Sequence, residues 1–135
     1  MPIILNIETS TDVCSVAISR DGELLIEKES QEGLNHSKLL SVFIDHITKE
    51  SGLRIESVDS VAVSKGPGSY TGLRIGVSLA KGLCYALGKP LIAVGTLDAM
   101  ADYTISNLKS YLAGLKNVED ILICPMIDAR RMEVY

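Results

Sequence analysis

The stretch from Thr71 to Leu87 constrains the fold more than any other part of the chain, because its apolar residues take up most of a helical circumference. Leu73, Ile75, Val77, Leu79, Ala80, Leu83, Ala86 and Leu87 leave only Arg74, Ser78, Lys81 and Tyr85 as one narrow polar strip. A helix of that kind must be covered on nearly all sides. A sheet shields one face, so a neighbouring helix or a second subunit has to shield another. The buried-strand pattern Val58 to Val63 leads into this helix through Lys65-Gly66-Pro67-Gly68-Ser69-Tyr70-Thr71-Gly72, and Gly88 closes it. Strand, glycine-rich loop and enclosed helix together call for a layered α/β domain.

The flanking elements agree with that requirement. Two β-rich runs, Ile3 to Ile7 and Cys14 to Ile18, bracket the polar stretch Glu8-Thr9-Ser10-Thr11-Asp12, which predicts a hairpin. A second turn at Arg20-Asp21-Gly22 leads into a third strand from Leu24. Apolar or partly apolar residues then recur at His36, Leu39, Leu40, Phe43, Ile44 and Ile47, a helical stripe with Asn35 as its expected N-cap and Gly52 as its end. Pro90 separates the long helix from a strand at Leu91 to Val94. A third helix is expected from Thr96, with Asp98 in its first turn, fading near Leu112 to Gly114 and followed by a short polar linker. Ile121 to Ile127 predicts a further buried strand, and Arg131 to Tyr135 the first half of a hairpin whose return strand lies beyond the sequence. Three antiparallel strands followed by alternating helices and strands give the fold class: α/β, a mixed sheet with helices packed on its faces. Internal repeats and low-complexity segments are not found.

Charge and cysteine usage narrow the function. At 135 residues and 47% apolar composition, one compact domain is expected. Seventeen acidic residues against thirteen basic ones give a net charge of -4, and Lys and Arg never cluster as a phosphate backbone would demand, so direct nucleic-acid binding is not expected. Cys14, Cys84 and Cys124 are odd in number and far apart, each within an apolar stretch, which predicts buried free thiols in a reducing compartment. The sequence enters a strand without a basic leader, and its apolar runs fall short of the roughly 20 residues that span a bilayer. A cytoplasmic protein is the expectation. His36 and His46 are the two histidines, too few for a metal site without distant carboxylates, and a Ser-His-Asp or Cys-His arrangement is not evident.

Four segments carry a family resemblance: Ile4-Leu5-Asn6-Ile7-Glu8-Thr9-Ser10-Thr11, His36-Ser37-Lys38-Leu39-Leu40, the run from Lys65 to Gly76, and Ile127-Asp128-Ala129-Arg130-Arg131. In order and spacing they resemble the TsaB (YeaZ) family of tRNA threonylcarbamoyladenosine biosynthesis proteins. The resemblance implies an actin-like ATPase (ribonuclease H-like) lobe, with residues 1–115 forming the first lobe and 116–135 starting a second that continues beyond this sequence. It further implies that Glu8, Thr9, Ser10 and Thr11, with Gly66, Gly68, Thr71 and Gly72, stand where members of the superfold face phosphate and hydrated metal. Read from the residues, the first group also suits a polar hairpin that satisfies its own turn. The second suits a tight turn that lets the next helix pack closely, and it lacks the Walker ending.

The catalytic paralogue of the family, TsaD, carries an H-x-x-x-H pair on the helix that corresponds to Thr96-Leu97-Asp98-Ala99-Met100-Ala101-Asp102-Tyr103, where this chain has no histidine. The resemblance therefore implies a non-catalytic subunit without a metal or cofactor of its own, and without catalytic residues. Its expected partners are a TsaD-like catalytic subunit and a TsaE-like ATPase, with a homodimer when alone. The surface expected to meet them comprises His36, Leu39, Leu40, Phe43 and Ile47 on the first helix and Arg74, Val77, Ser78, Lys81 and Tyr85 on the second. The alternatives are a weak Mg-ATP-dependent ATPase or phosphotransferase using Glu8 and the two loops, and a glycoprotease-like peptidase.

Overall fold

The computed structural model describes residues 1–31, 36–112 and 121–135. The expected linker after Gly114, the lobe boundary at 115/116 and the Asn35 N-cap lie outside the described residues. Strands β1 (Ile3–Glu8), β2 (Cys14–Arg20) and β3 (Glu23–Ser30) form an antiparallel meander, and helix α1 (His36–Ser51) follows. Strand β4 (Ser60–Ser64), helix α2 (Tyr70–Leu87), strand β5 (Leu91–Val94) and helix α3 (Thr96–Ser106) then alternate. A 3-10 turn (Ile55–Ser57) ahead of β4, a single-turn helix, α4 (Leu108–Tyr111), and a two-stranded ribbon, β6 (Asp128–Arg130) with β7 (Glu133–Val134), complete the described elements.

The five-stranded sheet has the order β3-β2-β1-β4-β5. β1 is antiparallel to β2 and parallel to β4, and β4 is parallel to β5. This is the mixed sheet expected for an actin-like lobe. Aspartate and glycine make the β2–β3 turn possible, with Asp21 at φ 52 and Gly22 at φ 83. The meander is not regular, because the β2–β3 register shifts at Ile18/Ser19 and leaves Leu24 and Leu25 exposed on the outer strand.

Alternation along the strands builds one core. Leu5 and Ile7, Val16 and Ile18, and Val61 and Val63 point to the face where Leu40, Ile44 and Ile47 of α1 and Ala80 of α2 meet them. Register puts Leu5 opposite Ile18 and Val61, and Ile7 opposite Val16 and Val63, so the buried side chains stack in rows across three strands. α1 therefore shields α2 laterally while the sheet covers it below, which answers the requirement set by its apolar circumference. The opposite face is polar near β1: the Asn6 side-chain amide donates to Ser19 Oγ at 3.0 Å and to the Ile4 carbonyl at 3.2 Å. The start of α3 approaches that face. All five residues of β4 are buried, as a central parallel strand covered on both sides requires.

Helix ends follow local chemistry. Ser69 caps α2 by accepting from the Gly72 amide at 3.2 Å, and Gly88 at φ 64 ends it. Gly52, at φ 68, follows α1.

Three expectations need correction. Ile121 to Ile127 forms no strand, and Leu122 is 95% exposed; an unbroken apolar run suits burial on two faces but does not supply the neighbouring strand that pairing needs. Arg131 to Tyr135 is not the first half of a hairpin: Arg131 and Met132, both at positive φ, make the turn, and β7 is the return strand to β6. The cysteines are all free, but only Cys14 is buried; Cys84 is half-buried and Cys124 exposed.

Because Leu40 is fully buried between α1 and the sheet, Leu40→Ala should cost about 2–5 kcal/mol in chemical denaturation. Burial raises the Cys14 thiol above its ordinary value of 9.0, so the unfolded thiol ionises first as pH climbs. That contribution to stability is intact below about pH 9 and declines above it. In a thiol-alkylation time course at pH 8, Cys124 should label first and Cys14 only on unfolding.

Candidate functional site

The end of β1 and the start of α2 converge in a closely packed polar region. Glu8, the last residue of β1, is held by two donors to the same carboxylate oxygen: the Ser10 amide at 2.6 Å and the Ser64 hydroxyl at 2.8 Å. Ser64 is the last residue of β4, parallel neighbour of β1, and no local pattern signals this pairing. The Ser10 carbonyl in turn accepts from the Ser69 amide at 2.6 Å, which fastens the β1–β2 turn to the N-terminus of α2.

Glycines make that closeness possible. A side chain at Gly68, whose φ is 154, or at Gly72 would overlap the Ser10 or Thr9 carbonyl oxygen respectively, and one at Gly76 would overlap Thr9 Oγ1. Gly72, Gly76 and Ala80 are the buried residues of α2, so the four-residue spacing of small side chains is the seam along which the helix meets the β1–β2 turn and the sheet. Gly66, at φ 106, faces Leu73 instead. Thr9 and Ser10 are buried while Thr11 and Thr71 are exposed. Thr9 Oγ1 has no hydrogen-bond partner, a cost accepted for the close contact. The two loops are thus brought together, but against each other. The Ser10 amide and one Glu8 oxygen, the groups a phosphate or hydrated metal would call on, are already engaged.

The helical surface is divided. Leu40 and Ile47 belong wholly to the core, so they present nothing to a partner, which corrects their expected place on the interface. Leu39, Phe43 and Val77 are half-buried and packed against that core. Arg74, Ser78, Lys81 and Tyr85 are exposed as the strip predicted, and Tyr70, 75% exposed, extends it. α1 begins at His36. Between its next residue, Ser37, and Thr71, Arg74, Ile75, Ser78 and Leu79 of α2 lies an open groove of about 470 Å³. A smaller hollow of about 200 Å³ lies beside Glu8 and Ser64, closed by Gly95 and Ala99 at the start of α3. Among the described residues, no group of three or more His, Cys, Asp and Glu side chains is placed to hold a metal ion. None of their helices is long and apolar enough to cross a membrane.

A mixed five-stranded sheet whose first hairpin turn is seated on a glycine-faced helix defines the class, an α/β lobe, and comparison with known proteins gives the family. The family described as TsaD: tRNA N6-adenosine threonylcarbamoyltransferase matches residues 30–135. The chain belongs to this family, and the relatives it resembles carry the names TsaB and YeaZ. It is 36% identical to the tRNA threonylcarbamoyladenosine biosynthesis protein TsaB of Haemophilus influenzae, over 98% of this chain and 51% of that protein. Against the protein of the same name from Escherichia coli, identity is 36%, over 98% of this chain and 52% of the relative. The solved structure of YeaZ from Pseudomonas aeruginosa superimposes with a TM-score of 0.83 at 30% identity, covering 99% of this chain and 58% of that one. The chain spans about half the length of the curated relatives it matches.

Two glycine substitutions in α2 should separate close packing from helix propensity. Gly76→Ala is expected to lose about 1–3 kcal/mol by driving a methyl group into Thr9. Gly82→Ala, where nothing lies within 4 Å, is expected to gain about 0.5–1 kcal/mol. Thermal unfolding of both variants checks this.

Proposed function

We propose that the chain is a non-catalytic docking subunit for a TsaD-type catalytic partner in the formation of threonylcarbamoyladenosine on tRNA beside the anticodon. A TsaE-type ATPase joins the same assembly, and a second copy of the chain takes the partner's place when it is absent. The whole-protein relatives named for this biosynthesis support the pathway. The assignment of a docking role is carried by the exposed aromatic and cationic strip of α2, which borders the open α1–α2 groove.

The condition of the polar loops favours binding over chemistry. One Glu8 oxygen is engaged by Ser10 and Ser64, and the Ser10 carbonyl by Ser69, so part of what a phosphate or metal would call on already serves the fold. Imidazole ligands are also missing from α3, whose sequence is Thr-Leu-Asp-Ala-Met-Ala-Asp-Tyr-Thr-Ile-Ser. ATP, threonine and bicarbonate are then consumed by the partners.

Co-expression with the TsaD-type subunit followed by size-exclusion chromatography tests the role. Ser78 is exposed on the groove wall, so Ser78→Trp should abolish co-elution without changing the melting temperature. Co-elution of that variant at the wild-type level would refute docking through this groove. Saturable Mg-ATP binding that disappears in Glu8→Ala would favour an enzymatic role instead.

A further inference from the structure

We draw no further inference here: the strongest candidate, the trough between α3 and the end of β5, lined by Val94, Ala99 and Tyr103 and flanked by Asp98 and Asp102, is an unpartnered apolar face, and nothing in the structure shows what covers it.

Discussion

The whole arrangement depends on the contact between the β1–β2 turn and the first turns of α2. The Ser10 carbonyl holds the Ser69 amide, and Gly68, Gly72 and Gly76 let the helix backbone come down onto Thr9 and Ser10. This single seam fixes the angle at which α2 crosses the sheet, and with it the position of Ala80 in the core and of α1 alongside. It also explains why a buried hydroxyl goes without a partner at Thr9: with only hydrogen on the glycine Cα, the contact is too close to leave room for water.

Much of the fold was legible because its signals are local. Gly88, Gly52 and Pro90 mark helix ends through backbone conformation, and Asp21-Gly22 marks a turn for the same reason. Long-range pairing was harder to see. The run Ile121 to Ile127 carries the composition of a buried strand, yet composition says nothing of which strand it would pair with. Leu40 and Ile47 share a stripe with Leu39 and Phe43, and periodicity alone does not tell which of them face the sheet and which face outward. The closeness implied by Gly68 and Gly72 was readable, whereas the identity of the opposing residues, Thr9 and Ser10, required the tertiary structure. So did the link from Ser64 to Glu8, which joins residues 56 positions apart.

The same seam bears on the division of labour in α2. By placing its small residues inward, the helix brings its backbone near the sheet and its half-buried Leu, Ile and Val residues against the core, leaving the polar and aromatic strip outside. The glycine-rich loop holds layers together, and the exposed strip lies on the other side of the helix. Packed and solvent-facing residues thereby occupy opposite sides of one element.

The irregular outer strand has a consequence of its own. An open strand edge is a template on which another chain can continue the sheet, and β3 is such an edge. The register slip opposite Ile18 twists its first half out of line, while Glu23, Glu27 and Glu29 stand exposed along it. A strand approaching from an identical molecule would meet a bent ladder and a row of matching negative charges. Both features oppose continuation of the sheet by an identical strand at this edge.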